Sequence, residues 1–252
     1  MGDGLLENPL ALARSVARVL HGVSVQSPDL TGFVNSDFDS FLNHLFVGPD
    51  ASPGEGLVPL DGRPGFVWLA SVPTLEEEHR LRKGGVLVTA MHGMTATIAE
   101  CGPPQKSYEV RSRADFSAWH EVYCDGLEVD GRSRQDWQLV YDALGPEGEG
   151  TLLLLLARVG QLPAAAAAVF FEDGQAGLYC FTTRVAMRGK GLASVLVHAS
   201  HAAARARGID AALLQATEMG RPVYARAGYR EQRLLPVLIA SHGASRSGSK
   251  GE

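Results

Sequence analysis

Arg188, Gly189, Lys190, Gly191, Leu192 and Ala193 lie between a strand-like run ending near Val185 and an alanine-rich amphipathic helix. Two glycines let the backbone turn tightly and present successive N–H groups, and the following helix directs the positive end of its dipole at the same point. A nest of this kind holds an anion, and a phosphate is its natural occupant. Arg188 and Lys190 add positive charge. The helix is marked by Leu192, Val195, Leu196 and Ala199 at helical spacing, with Arg205 and Arg207 in the last turn before Gly208.

Spacing separates the phosphate loops that glycine-rich turns can form. A nucleoside-triphosphate loop requires G-x-x-x-x-G-K-[ST], a string absent from the sequence. A dinucleotide fingerprint requires a third glycine where Ser194 stands, and further parallel strands for which the remaining residues, about sixty, are too few. What fits is R-x-x-G-x-A. After the helix at 191–207 come an apolar run at 209–216 and a short helix near 219–227. That helix carries Tyr224-Ala225-Arg226-Ala227-Gly228-Tyr229, and a second apolar run follows at 234–240. Upstream, 107–111 reads as a strand and 114–123 as a helix with Phe116, Trp119 and Tyr123 on one face. Trp137, Val140, Tyr141 and Leu144 mark a second helix. Runs at 152–159, 163–172 and 178–185 read as strands, with loops at Gly160 and Gly174.

This order, over residues 105–241, resembles the GNAT superfamily of N-acetyltransferases. There R-x-x-G-x-A cradles a pyrophosphate, and Y-x-x-x-G-F ends the last helix; Tyr229 replaces the Phe. The resemblance implies an α/β (α+β) fold, a mixed twisted sheet flanked by helices, and acetyl-CoA or another acyl-CoA as co-substrate. Its pyrophosphate would lie on Arg188, Gly189, Lys190, Gly191, Leu192, Ala193 and Ser194, and its pantetheine arm along the backbone of Phe181, Thr182 and Thr183. Thr217 stands where the family has an Asn that contacts the coenzyme. An N–H of the same strand would stabilise the oxyanion as an amine attacks. Tyr224 matches the family's tyrosine that protonates the leaving thiolate, whose conjugate acid lies near the free thiol value of ~8.5.

The implied reaction moves a short acyl group to an amine of a small molecule, with secondary metabolism or antibiotic self-protection as a setting by analogy. An acyl-carrier-protein thioester is an alternative donor, and a non-catalytic acyl-CoA sensor is the alternative of another class. No base stands out: the candidates are Glu218, Glu121, His120 and a water chain. His198 and His201 are expected on the surface, while His44 and His92 are candidates to line an acceptor pocket, with a structural role as the commoner alternative for a lone histidine. Neither the eight histidines nor Cys101, Cys124 and Cys180 show metal-ligand spacing, so no metal is expected.

Composition agrees with an enzyme. The 252 residues are 45% hydrophobic, enough for one large core or two modest ones. No apolar run reaches the roughly 18 residues of a membrane span, and the N-terminal residues do not resemble a signal peptide. A cytoplasmic protein is expected. The net charge of −5 disfavours nucleic acid as a partner.

In the first hundred or so residues, Asn8-Pro9 reads as a cap and first turn of a helix that Gly22 ends. Residues 31–43, with Asp37 and Asp39, read as a helix with an acidic start, and 48–65 as a surface loop. A strand at 66–70, a capping box at Thr74 and Glu77, a helix stopping at Gly84 and a strand at 86–91 repeat the order that closes the chain. Setting Gly84 against Gly228 puts Trp68, Leu69 and Ala70 opposite Ala212, Leu213 and Leu214, and Arg80 opposite Tyr224. No phosphate loop precedes this first copy. The reading divides the chain into a degenerate GNAT-like region (1–104), an acyltransferase domain (105–241) and a polar tail (242–252). An unrelated helical extension is the alternative for the first part.

Overall fold

The computed structural model describes residues 4–102, 109–111, 116–129, 131–146 and 148–244. They divide into two compact units, one within residues 4–8 and 92–233, the other within 9–91 and 234–244. These bounds differ from the division at 104 and 241 read from the sequence. The cuts fall inside a helix, α1 (Gly4–Leu20), and two long strands, β5 (Val86–Thr97) and β11 (Arg230–Ala240), which pattern alone does not reveal as shared.

In the first unit the order across the sheet is β5, β10 (Ala211–Ala216), β9 (Gln175–Thr183), β8 (Leu162–Glu172), β7 (Leu152–Val159) and β6 (Glu109–Arg111). Strands β6 to β9 form an antiparallel meander. Strand β10 runs parallel to β9, reached through the crossover helix α5 (Leu192–Arg205), and antiparallel to the His92–Thr97 part of β5. Helices α3 (Phe116–Leu127) and α5 both pack on β8 and β9, and α4 (Arg134–Leu144) follows α3. With helices on both faces, β7 over 152–157 and β8 over 164–171 are apolar at successive rather than alternate positions, which explains the runs of leucines and alanines. The α5 side is closed by Leu153, Leu155, Val169, Phe171, Leu178, Leu192 and Leu196. Trp119, Tyr123 and Trp137 form an aromatic cluster with centroids 5.1–5.3 Å apart.

The second unit contains β1 (Val23–Ser27), β2 (Leu30–Val34), β3 (His44–Val47), β4 (Gly65–Leu69) and the Val237–Ala240 part of β11, in that order. Strands β3 and β4 are parallel, and β11 is antiparallel to β4. Helix α2 (Leu75–Lys83) carries the expected capping box of Thr74 and Glu77 and ends at Gly84. The helix expected at 31–43 is absent: 30–34 is strand β2 and only Ser40–Leu42 turns, as a 3-10 helix capped by Asp39. The side-chain amide of Asn43 explains this. It accepts from the N–H groups of Asn35 and Ser36 and donates to Ser36 O and Pro64 O, pinning the segment as a loop. Asp37 pairs with Arg63 instead of heading a helix.

A strand–helix–strand unit occupies 65–97. The strand after α2 supplies the antiparallel partner of β10, and the strand after the last helix, α6 (Arg221–Arg226), supplies that of β4. No helix of the described residues is long and apolar enough to cross a membrane.

Candidate active site

Strand β9 ends at Thr183, a 3-10 turn covers Val185–Met187, and Arg188 leads into the glycine loop. Gly189 and Gly191 have φ of 75° and 85°, the left-handed region that only glycine enters cheaply. A Cβ on Gly189 would meet nothing within 4 Å, so glycine serves conformation there and the space before the loop is open. Gly191 is the N-cap of α5 and offers no capping side chain, so the first-turn amides of Leu192, Ala193 and Ser194 lack intrahelical acceptors. Leu192 is fully buried and fixes the helix start to the core, while Arg188 and Lys190 are exposed. Arg188 Nε donates to Thr183 O (3.3 Å), and Lys190 Nζ lies 3.5 Å from Met187 Sδ. Uncapped amides beside two exposed cations make this helix start able to hold an anion.

The ladder joining β9 to β10 stops at Leu178 and Leu214. Just beyond, the β8–β9 register shifts: Ala168 faces Tyr179 and Ala166 faces Thr182, so Cys180 and Phe181 together oppose Ala167. This is a β-bulge, and Cys180 within it has φ of 55°, a costly conformation for a residue with a Cβ. Trp119 Nε1 donates to Ala167 O (2.9 Å), satisfying a carbonyl where the ladder is interrupted. The edge of β9 from Tyr179 to Thr183 is thus outside the β10 ladder. The Thr182 side chain packs against Gly126 of α3, where a Cβ would collide with it, so Thr182 can offer a ligand only its backbone.

Tyr224 stands in α6, which opens where Thr217 Oγ1 accepts from Gly220 N (3.2 Å). Thr217 is exposed. The Tyr224 ring meets Phe181 edge-on (5.9 Å, 70°) and Tyr229 in the same way (5.9 Å, 69°). Phe181, Met187 and Tyr224 pack on the apolar cluster that contains Leu192, so strand edge, loop and phenol converge. Burial, reinforced by the nearby Cys180 thiol, drives the Tyr224 phenol far above its usual range and keeps it protonated at neutral pH. Its hydroxyl has no hydrogen-bond partner among the described residues.

The start of α1 contributes what the sequence reading missed. The helix begins at Gly4, so Pro9 lies inside it and Asn8 is not its cap. Pro9 has no N–H, which leaves the carbonyl of Leu5 four residues earlier without its helical donor. Gln215 Nε2 donates to that carbonyl instead (2.7 Å). Tyr179 Oη donates to Asn8 Oδ1 (2.6 Å). Tyr179 and Gln215 are the first residues beyond the last β9–β10 pair, one on each diverging strand. The first turn of α1 therefore straddles the opening. Gly177 makes room for it, because a Cβ there would collide with Asn8 Oδ1 and the Tyr179 ring. An asparagine in an apolar helix, four residues before which nothing is special, gave no sign of this contact; Pro9 was the one available clue.

The remaining candidates separate. Glu218 bonds His92 Nε2 (2.7 Å) and reaches Arg221 (3.4 Å), contacts that hold its carboxyl below the usual range. His92 Nδ1 is also 3.1 Å from Glu231. Glu121 is exposed, 3.7 Å from Arg184, whose closer partner is Asp125 at 2.8 Å. His120 is buried beside Ser133 Oγ (3.3 Å), and burial lowers its pKa. His201 is not a surface residue: it is fully buried, 3.0 Å from Tyr229 Oη, and burial lowers its pKa to about 4. His198 is half-buried against it. His44 is buried; its Nδ1 accepts from Trp68 Nε1 (3.0 Å), its Nε2 faces Phe41 O (3.1 Å), and burial lowers its pKa to about 4.

No protein-family model and no curated protein matches the sequence. Solved structures do match in fold. A GCN5-related N-acetyltransferase from Kribbella flavida superposes with a TM-score of 0.62 at 17% identity, covering 95% of this chain and 96% of that one. A GCN5-related N-acetyltransferase from Sphaerobacter thermophilus gives 0.55 at 15% identity, covering 93% and 90%. A functionally unknown conserved protein from Staphylococcus epidermidis gives 0.63 at 11% identity, covering 88% and 95%. The chain thus has the fold of the GCN5-related N-acetyltransferases, and the likeness extends over nearly its whole length.

Proposed function

We propose that the protein transfers an acetyl or other short acyl group from coenzyme A to an amine of a small molecule. The observation that carries this reading is the uncapped start of α5 behind two left-handed glycines, next to a strand edge freed by a bulge. The amides of residues 189–194 bind the diphosphate, with Arg188 and Lys190 screening its charge. The edge from Phe181 to Thr183 pairs with the pantetheine arm and brings the thioester carbonyl to the bulge. A backbone N–H there stabilises the oxygen that gains charge as the amine nitrogen attacks. The new C–N bond forms, the C–S bond breaks, and Tyr224 gives its proton to the departing sulfur; the amine proton leaves to solvent, and Tyr224 is reprotonated.

The second unit, which has a 3-10 turn at Pro53–Leu57 between its parallel strands and no phosphate loop, is read as a degenerate copy that does not bind coenzyme. A cytoplasmic location, and a role in secondary metabolism or self-resistance, complete the proposal. The test is release of free thiol when the purified protein receives acetyl-CoA and a panel of amines. Transfer with a Tyr224-dependent rate is expected. Tight acetyl-CoA binding without thiol release for any amine would favour a sensor, and transfer only from a carrier-protein thioester would replace the donor.

A further inference from the structure

We propose that Asn8 contacts the acyl group, its side-chain N–H donating to the thioester carbonyl oxygen of the bound donor. This rests on the acyltransferase reading. Asn8 is 3% exposed, and its Oδ1 is occupied by Tyr179, yet its Nδ2 is buried without a hydrogen-bond partner. A buried donor left unpaired is costly, and native proteins keep few of them. Its place in the fold supplies the missing acceptor.

Asn8 grips Tyr179, the residue immediately before the bulge, and at 3.3 Å per residue Tyr179 lies within about 7 Å of Phe181. Leu5 O, one turn earlier, holds Gln215 on the opposite strand of the opening. The two contacts clamp the helix across the point where β9 and β10 part, which is where an acyl group carried along the edge of Phe181 and Thr183 must arrive. The bulge supplies one backbone donor to the carbonyl oxygen, and the Asn8 amide supplies a second from the other element. Asn8 forms and breaks no covalent bond; its hydrogen bond strengthens as the oxygen becomes an oxyanion. Gly177 leaves room for this contact, because a Cβ there would collide with Asn8 Oδ1 and the Tyr179 ring. Pro9 belongs to the same device, since it frees the carbonyl by which the helix is anchored.

The test compares the affinities of acetyl-CoA and unacylated CoA for the full-length protein by calorimetry, in wild type and in Asn8→Asp and Asn8→Ser. Both variants should weaken acetyl-CoA roughly fivefold to tenfold relative to CoA, the effect of one lost hydrogen bond. Should Asn8→Asp fold poorly, Asn8→Ser carries the comparison. Infrared spectra of carbonyl-labelled acetyl-CoA add a second readout: the band of the bound thioester should lie below its free value in wild type and move back toward it in Asn8→Ser. If wild type binds both ligands and the variants weaken both equally or neither, the assignment of Asn8 is wrong. If wild type binds neither ligand, the acyltransferase reading itself fails.

Discussion

Replacing Gly189 with Ala separates conformation from space. Gly189 has φ of 75° and open surroundings, so the added methyl group collides with nothing and its whole cost is the left-handed backbone, about 1–2 kcal/mol. Gly174, in the β8–β9 hairpin, is an internal control with φ of 71° and equally open surroundings. Both variants should lose similar stability in urea denaturation. Only Gly189→Ala should lose coenzyme affinity. If the loop relaxes to a right-handed conformation and one charged amide–phosphate hydrogen bond of about 1.5–3 kcal/mol is lost, the dissociation constant for CoA rises by roughly one to two orders of magnitude. Calorimetry on both variants decides the matter. A Gly189→Ala protein that binds CoA as tightly as Gly174→Ala would refute the claim that the loop holds the diphosphate.

Tyr224→Phe should lower turnover at least about tenfold while leaving acetyl-CoA affinity unchanged; unchanged turnover in a steady-state thiol assay would remove the phenol from the mechanism. His44 and His201 are held neutral, with folded pKa values of about 4 against 6.5 unfolded. The unfolded chain therefore binds more protons between pH 6.5 and 4, so stability is complete above that window and falls on acidification, by up to about 3 kcal/mol for each histidine. Urea midpoints measured across the window in His201→Phe should show a shallower decline than in wild type, and an equally steep one would contradict this origin. A fragment of residues 105–241 lacks the His92–Thr97 segment that pairs with β10 and should aggregate, whereas one that is monomeric on gel filtration and binds acetyl-CoA would show that segment to be dispensable.

Local features of the fold were legible because their signals are local. The glycine loop, the α5 stripe, the Thr74–Glu77 capping box and the apolar runs of β7 and β8 depend on residues close in sequence. The segment 31–43 misled because Phe33, Phe38, Phe41 and Leu42 mimic a helical stripe, while the determinants of its real conformation are hydrogen bonds from Asn43 that span seven or eight residues. The bulge at Cys180 could not be anticipated, since a left-handed cysteine leaves no compositional mark and is imposed by strand pairing and by Trp119. The seat of Asn8 is longer-range still: its partner Tyr179 lies 171 positions away. The sequence pattern ends strand β5 at Met91, because His92 and Gly93 interrupt its alternation, and so hides the partner that β10 takes from it.

The most direct test is a crystal structure with acetyl-CoA bound. The diphosphate should rest on the amides of residues 189–194, with the pantetheine along Phe181 and Thr183 and the sulfur within reach of Tyr224 Oη. A diphosphate seated anywhere else on the molecule would contradict the proposed chemistry at its origin.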